Sequence, residues 1–148
     1  MATNKIDLVG RNAIVTGGGA GLGFAISERL AQSGANVCVW DINQDAIDAA
    51  VAKLNQAGDG TACGVVSNVA DVASVKDAVK AAQDKLGGID ITVNNAGISG
   101  PNVTSWEYPA DEWQKVIDVN LSGTFHMCSA VIPVMLEGDY GRIVNIAS

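Results

Sequence analysis

A short apolar run that passes directly into glycines, NAIVTGGGAGLG (residues 12–23), constrains the fold of this chain most. The apolar run predicts a strand, and Leu22, Ile26 and Leu30 recur at helical spacing after the glycines. Glycines between a strand and a helix allow a tight turn and let a ligand approach the backbone. The helix start offers free N–H groups and a partial positive charge to an anion. The segment therefore predicts either a phosphate-binding β-loop-α unit or a flexible turn.

Strand-like and helix-like segments alternate along the rest of the chain. Most of the β-rich runs are continuously apolar, which is typical of strands covered on both faces in a parallel sheet. Strands that alternate with helices imply right-handed crossovers and an α/β fold with a doubly wound parallel sheet. The predicted strands are Asn12–Thr16, Asn36–Asp41, Thr61–Val66, Ile89–Asn94 and Arg142–Ile146.

Apolar stripes predict the later helices. Asp71 is expected to cap the third helix and Gly87 to end it. A fourth helix is expected from about Asp111, after a long irregular loop, 96–110, that is a candidate wall of a site. The stripes are Ile47, Ala50, Val51 and Leu54 in the second helix, Val72, Val75, Val79, Ala82 and Leu86 in the third, and Trp113, Val116, Ile117, Leu121 and Thr124 in the fourth.

Composition and charge disfavour several classes of function. The chain has 148 residues, which suits one domain over residues 1–148. Its net charge of −7 and its lack of Lys or Arg runs disfavour nucleic-acid binding. No apolar run approaches the ~18 residues that span a bilayer, and no apolar signal segment begins the chain, so we expect a cytoplasmic location and no membrane association. Three scattered cysteines and one histidine, His126, predict no metal site.

An acidic residue closes the second predicted strand. Asp41 follows the glycine segment by roughly twenty residues, where a carboxylate can accept hydrogen bonds from the ribose of a dinucleotide. Its negative charge would repel a 2′-phosphate, and no Lys or Arg lies in the glycine segment or just after Asp41. These features favour NAD over NADP. Taken alone, Asp41 suits equally well a cap for a helix beginning near Asn43.

Two further groups of polar side chains are candidates. The NNAG segment, residues 94–97, ends the fourth predicted strand, and ligands of open α/β sheets bind beyond the carboxyl ends of strands. The same segment also suits a simple turn. Asn120 lies on the apolar stripe of the fourth helix, where an amide must be hydrogen-bonded. It either fastens the helix to a strand backbone or belongs to a proton path.

Together these residues resemble the short-chain dehydrogenase/reductase family along essentially the whole chain. TGGGAGLG (16–23) is similar to its TGxxxGxG loop, NNAG to its fourth-strand signature, and GRIVNIAS (141–148) to the strand that delivers its catalytic serine. The resemblance implies a Rossmann-like sheet of strand order 3-2-1-4-5 that stops before the family's last strands. It implies NAD contacts from Thr16, Gly17, Gly19, Gly21, Leu22, Gly23, Asp41, Asn68, Val69, Asn95, Ala96 and Gly97.

The resemblance also implies a reaction, which is hydride transfer between the nicotinamide and an alcohol or ketone. In the family a tyrosine is the general acid/base, a lysine lowers the pKa of that tyrosine, a serine orients the substrate oxygen, and an asparagine supports a proton-relaying water. Ser148 and Asn120 match the serine and the asparagine. The family's Tyr-x-x-x-Lys has no match here, because neither Tyr108 nor Tyr140 has a lysine four residues later.

The missing pair leads to an expectation about completeness. We expect residues 1–148 to be an incomplete NAD-binding domain of a longer enzyme, inactive by itself, whose full-length form is a dimer or tetramer. Its last strand would be an exposed apolar edge. Two other functions stay open. A non-catalytic dinucleotide-binding or interaction module is favoured by the absent Tyr and Lys. A SAM-dependent methyltransferase shares the acid after the second strand but has a GxGxG loop.

Overall fold

The computed structural model describes residues 6–57 and 60–147, which form a parallel β-sheet with helices on both faces. The five strands lie in the order β3-β2-β1-β4-β5, and each neighbouring pair is parallel. The predicted α/β class, doubly wound Rossmann-like sheet and strand order are therefore confirmed. The strands are β1 Asn12–Thr16, β2 Asn36–Asp41, β3 Ala62–Val66, β4 Ile91–Asn94 and β5 Arg142–Asn145.

Helices connect the strands where the stripes predicted them, but the stripe predicted for the fourth helix is not buried, since Trp113 is 58% and Leu121 is 66% exposed. The π-helical turn Asp118–Ser122 joins α4 to α5, so the predicted fourth helix is one helical run with an irregular centre. The helices are α1 Gly21–Gln32, α2 Gln44–Ala57, α3 Val72–Leu86, α4 Ala110–Ile117 and α5 Gly123–Glu137.

Alternate residues of the central strands face opposite helical layers. Ala13 and Val15 of β1 pack with α1 and α2, whereas Ile14 packs with α3 and α5. All three side chains are fully buried. Because both faces of the sheet are covered, its strands must be apolar at every position, which explains the continuous apolar runs in the sequence.

The first helix packs through small residues and not through the predicted stripe. Gly23, Ser27 and Ala31 are its buried residues. Leu22, which the stripe placed inside, is 60% exposed, and the other two members of the stripe are only partly buried. The buried face of α1 is displaced by one residue from the predicted stripe. Small side chains let α1 approach the sheet closely, and the larger ones flank the contact.

The third helix begins and ends as predicted. Asp71 is its N-cap, and the carboxylate accepts a hydrogen bond from the N–H of Ala73 at 2.9 Å. Gly87 ends the helix in the left-handed conformation, with φ 82°. Glycine adopts that conformation without the steric penalty of a Cβ atom.

Asp71→Ala is expected to lower the free energy of unfolding by about 1 kcal/mol, because the helix loses its N-terminal cap. Urea denaturation followed by circular dichroism measures this change. Asp77→Ala is the matched control, since Asp77 is exposed on the same helix, and it should change the free energy by less than about 0.5 kcal/mol. Equal losses in the two variants would contradict a capping role for Asp71.

The helical run Ala110–Glu137 is 28 residues long and is apolar enough, by length and composition, to cross a membrane. Part of it is a core element, because Met127, Val131 and Met135 of α5 are buried against the sheet. None of the residues of α4 is buried. The expected absence of membrane association stays a prediction.

The last described strand is an edge of the sheet. Within the described residues β5 pairs with β4 on one side only. Val144 of this strand is 47% exposed, and Ile146 just after it is 42% exposed. The prediction of an exposed apolar edge is therefore confirmed.

Candidate functional site

A cleft of about 320 Å³ lies at the carboxyl ends of the strands. It is next to β1, whose neighbours in the sheet are β2 on one side and β4 on the other. This reversal of strand order is where ligands bind in open α/β sheets, since the loops diverge there. Most of the predicted cofactor contacts line the cleft. They are Thr16, Gly17, Asp41, Asn68, Val69, Asn95, Ala96 and Gly97.

Hydrogen bonds fasten the glycine segment to the end of β4. The hydroxyl oxygen of Thr16 accepts from the N–H groups of Asn95 and Ala96, both at 3.0 Å. The Asn95 amide donates back to the carbonyl oxygens of Thr16 at 3.0 Å and Gly17 at 3.3 Å. Gly17 has φ 61°, and a Cβ on it would lie 3.1 Å from the Cα of Ala96. The two segments therefore form one rigid unit in which Gly17 is required.

The start of α1 is open to an anion. Ala20 at the N-cap supplies no side-chain hydrogen bond, and the first turn, which contains Gly21 and Leu22, carries no acidic residue. An uncapped helix start keeps free N–H groups and a partial positive charge. Gly23 brings this turn close to the loop, because a Cβ there would lie 2.1 Å from the carbonyl oxygen of Gly17. The arrangement suits a phosphate group.

Asp41 connects the glycine loop with the start of α2. Its Oδ2 accepts from the N–H of Gly19, and its Oδ1 from the N–H of Asn43, both at 3.2 Å. Asn43 caps α2 itself, since its Oδ1 accepts from the N–H of Ala46 at 3.1 Å. Asp41 is therefore not the helix cap. Its half-buried carboxylate lines the cleft and has further lone pairs for the hydroxyls of a ligand.

The turn after β3 forms another wall of the cleft. The N–H of Asn68 donates to the hydroxyl of Ser74, and its Oδ1 accepts from the N–H of Ala70, both at 3.0 Å. Val69 is 7% exposed, and its carbonyl oxygen lies 2.9 Å from Nδ1 of His126. His126 thus holds this turn in place.

One buried hydroxyl in the cleft lacks a partner. Ser67 lines the cleft and is 3% exposed, and its Oγ has no hydrogen-bond partner among the described residues. Burying an unsatisfied polar group costs roughly 1–3 kcal/mol, which a bound polar ligand would offset. With the open start of α1 for a pyrophosphate, Asp41 for a ribose and the apolar wall of Val69 for a base, the residues fit an adenine dinucleotide.

Asn120 lies in the π-helical turn and contacts the loop after β4. Its Oδ1 accepts from the N–H of Ile98, and its Nδ2 donates to the carbonyl of Ile98, both at 2.9 Å. The hydroxyl of Thr124 donates to the Asn120 carbonyl at 3.1 Å. Such π turns insert one residue into a helix and occur often at functional sites. The side chain of Asn120 therefore fastens the π turn to the loop after β4, whereas a part for Asn120 in a proton path stays a prediction.

Asn120→Ala is expected to release the loop after β4. The N–H of Ile98 loses its acceptor, so its hydrogen exchange should become about tenfold faster, as for a loss of about 1.4 kcal/mol of local stability. Exchange measured by NMR reports this change. Gln114→Ala, which removes an exposed hydrogen bond to Asp118 from the neighbouring α4, should leave the exchange of Ile98 unchanged. Unchanged exchange in Asn120→Ala would contradict the fastening role.

Ser148, the predicted catalytic serine, lies outside the described residues. The strand that leads to it is firmly attached to β4. The N–H of Ile146 donates to the carbonyl of Asn94 at 3.0 Å, and Nδ2 of Asn94 donates to Oδ1 of Asn145 at 2.8 Å. The end of β5 is thus held next to the NNAG segment.

The structure also brings residues to the cleft that the sequence analysis missed. They are Trp40, Ile42, Ser67, Ile98 and Val119. Trp40 lies near the end of β2, Ile42 and Ser67 directly follow β2 and β3, and Ile98 lies in the loop 96–110 that was a candidate wall of a site. A search for strand ends would have found the first three, whereas nothing in the sequence pointed to Val119 in the π turn.

Comparison with known proteins identifies the family of the chain. The family model described as short chain dehydrogenase matches residues 11–148. A 2-dehydro-3-deoxy-L-rhamnonate dehydrogenase (NAD(+)) of Sphingomonas sp. is 46% identical over 139 residues, which are 94% of this chain and 54% of that protein. A D-beta-hydroxybutyrate dehydrogenase of Cupriavidus necator is 41% identical over 143 residues, which are 95% of this chain and 54% of that protein.

A solved structure agrees with the sheet topology. The crystal structure of NAD+-bound xylitol dehydrogenase superposes with a TM-score of 0.91 at 34% identity, over 95% of this chain and 54% of that one. The chain therefore spans about half the length of the relatives it matches.

Proposed function

The chain belongs to the short-chain dehydrogenase family, and we propose that it is the NAD(H)-binding portion of an oxidoreductase acting on a small alcohol or ketone. One observation carries the proposal. Thr16 and Gly17 of the glycine segment, Asp41, and residues 95–97 of the NNAG segment are far apart in the sequence but line one cleft at the strand-order reversal. Relatives of this chain are named as dehydrogenases, one of them with NAD(+) in its name.

Different residues would hold different parts of the dinucleotide. The N–H groups of Gly21, Leu22 and Gly23 at the start of α1 would bind the pyrophosphate. The carboxylate of Asp41 would accept hydrogen bonds from the adenosine ribose. When bound, the nicotinamide supplies the site that donates or accepts hydride. The chain's own contribution is to bind the dinucleotide and hold the loop after β4 in place.

The proposal favours NAD over NADP because of charge. The half-buried carboxylate of Asp41 would lie against a 2′-phosphate, and two like charges in a partly desolvated site repel each other strongly. The residues just after it, Ile42, Asn43 and Gln44, supply no cation to compensate. NAD therefore binds at lower cost than NADP.

The catalytic roles proposed for this half are those of Ser148 and Asn120. Ser148 would orient the substrate oxygen by hydrogen bonding. Asn120, whose side chain is engaged with Ile98, would support a water molecule through its position in the π turn. The relatives are named for a deoxy sugar acid and a hydroxy acid, and a solved relative for a polyol. Hydroxylated acids and polyols are therefore the first substrates to assay.

Titration with NADH tests the binding proposal. NADH should quench the tryptophan fluorescence, to which Trp40 in the cleft contributes, in a saturable manner with one site per chain. S-adenosylmethionine should have no effect. Saturation by S-adenosylmethionine but not by NADH would overturn the proposal. In the protein that carries these residues, alcohol-dependent reduction of NAD+ tests the reaction. NADH binding without any turnover there would favour a non-catalytic dinucleotide-binding module.

We also propose that the full-length protein forms a homo-oligomer in the cytoplasm, without a nucleic-acid or membrane partner. Exposed apolar side chains on the π turn and on α5 support an oligomer, because such patches mark interaction surfaces. Leu121, Phe125 and Leu136 are 66%, 68% and 74% exposed. Sedimentation velocity on the protein that carries these residues measures the oligomeric state.

A further inference from the structure

Two of the three cysteines lie directly opposite each other on neighbouring strands. Cys38 of β2 and Cys63 of β3 are register partners in the parallel ladder. Both side chains face the layer of α3 and α5. Strands in a sheet are about 4.7–4.9 Å apart, which falls within the Cα separation that a disulfide tolerates, about 4.4–6.8 Å. Both thiols are free.

The two thiols have different surroundings. Cys38 is fully buried, whereas Cys63 is partly exposed. The hydrogen bond from Cys38 lowers the pKa of the Cys63 thiol, and the ammonium group of Lys85 on α3 lowers it further. The same hydrogen bond, together with burial, raises the pKa of Cys38. Cys63 is therefore the first to lose its proton, and it is also the more exposed of the two residues.

We propose that Cys38 and Cys63 form a redox-active dithiol that a hydroperoxide oxidises to a disulfide joining β2 to β3. The Cys63 thiolate attacks the terminal peroxide oxygen, the O–O bond breaks, and Cys63 becomes a sulfenic acid while the hydroperoxide leaves as an alcohol, or as water from H2O2. The Cys38 sulfur then attacks the Cys63 sulfur, the S–O bond breaks, and the Cys38 proton leaves with hydroxide as water. Two thiols thus lose two electrons and the peroxide gains them.

The disulfide would act on the cleft through the two strands it joins. β2 continues from Cys38 to Asp41, and β3 leads from Cys63 to Ser67. The N–H of Ser67 donates to the carbonyl of Asp41 at 2.9 Å, so the strand exits are coupled. A covalent bond between the sulfur atoms moves β2 against β3 and shifts both residues. Weaker NADH binding by the oxidised chain is the consequence, and this consequence alone rests on the proposed function.

Peptide mapping after oxidation tests the dithiol without any cofactor. The chain is exposed to H2O2, its remaining thiols are alkylated in denaturant, and the peptides are analysed by mass spectrometry. Before alkylation the expected product has lost about 2 Da and returns to the starting mass with dithiothreitol; after alkylation it contains the linked peptides of Cys38 and Cys63 and carries the alkyl group on Cys128 alone. Oxidation of Cys63 to the sulfinic acid with Cys38 still free would overturn the proposal, as would alkylation of both Cys38 and Cys63 at a peroxide dose that has begun to oxidise Cys128.

Matched variants separate the contributions of the cysteines and of Lys85 to disulfide formation. Cys63→Ser, at a partly exposed position, should abolish the loss of mass, whereas Cys128→Ser should leave it unchanged. Lys85→Gln should slow disulfide formation several-fold, because the thiolate loses its neighbouring cation. Lys80→Gln, exposed on the same helix, should not slow it. Equal rates in the two lysine variants would contradict the role of Lys85, and a linked product in Cys63→Ser would contradict the assignment of the pair.

Discussion

Gly23→Ala is expected to weaken NADH binding by about 100-fold or more, equivalent to about 2.8 kcal/mol. The added Cβ would lie 2.1 Å from the carbonyl oxygen of Gly17 and 2.6 Å from Nδ2 of Asn95. Both are parts of the rigid unit that joins the glycine segment to β4, so neither can move without breaking its hydrogen bonds. The start of α1 must therefore move away from the loop, and its N–H groups no longer converge on the pyrophosphate.

The control for this variant is a glycine in an open position. A Cβ on Gly88 would meet only Nδ2 of Asn12, at 3.9 Å, so Gly88→Ala should retain both the fold and the affinity for NADH. Circular dichroism distinguishes loss of binding from loss of folding, since overpacking of this kind costs about 1–3 kcal/mol. A folded Gly23→Ala chain with unchanged NADH affinity would show that the glycine loop does not bind the pyrophosphate.

The sheet was predictable because its strands have two covered faces. The observed strands agree with the predicted ones within two residues at either end. The predicted start of β4 at Ile89 was two residues early, although the backbone of Asp90 bonds to both neighbouring segments, donating to the carbonyl of Asn12 at 2.9 Å and accepting from the N–H of Arg142 at 2.8 Å. The Asp90 carboxylate accepts from the N–H of Asn12 at 2.8 Å and pairs with Arg11 at 3.1 Å. Such side-chain contacts leave no periodic signal in a sequence.

The helices show two features that hydrophobic periodicity does not predict. The contact face of α1 consists of Gly23, Ser27 and Ala31, whose small size matters more than their hydrophobicity. The π turn inserts a residue into the fourth helix, where Leu121, predicted on its apolar stripe, is 66% exposed; Trp113, on the same stripe before the turn, is 58% exposed. An inserted residue of this kind depends on tertiary contacts such as those of Asn120 with Ile98.

The candidate site was predictable to the extent that it follows from strand ends. Parallel strands bring their carboxyl ends to one edge, so motifs at those ends were expected to converge, and Asp41 and the NNAG segment do. The sequence did not predict that Asp41 accepts hydrogen bonds from both Gly19 and Asn43. These bonds depend on the curvature of the loop, which places a distant N–H beside the carboxylate.

Asp41→Asn is expected to lower the preference for NADH over NADPH by at least about tenfold, equivalent to about 1.4 kcal/mol. Asparagine keeps an oxygen that can accept from Gly19 or Asn43, so the loop retains part of its support. It removes the negative charge that faces a 2′-phosphate. Asp41→Ala removes both the accepting oxygen and the negative charge. We expect it to weaken NADH binding as well, because the ribose loses its acceptor. Dissociation constants for the two cofactors, measured by the same fluorescence titration, give the ratio.

Asp45→Asn isolates the effect of position from that of charge. Asp45 is exposed in the first turn of α2 and does not line the cleft. The Asp45→Asn substitution therefore removes one negative charge near the cleft but outside it. Screening by salt limits its influence, and the cofactor preference should change by less than about threefold. A preference for NADPH in the unmutated chain, or equal changes from Asp41→Asn and Asp45→Asn, would show that the cleft does not place the ribose at Asp41. The discrimination would then have to come from elsewhere, whereas a change confined to Asp41 assigns it to that one carboxylate.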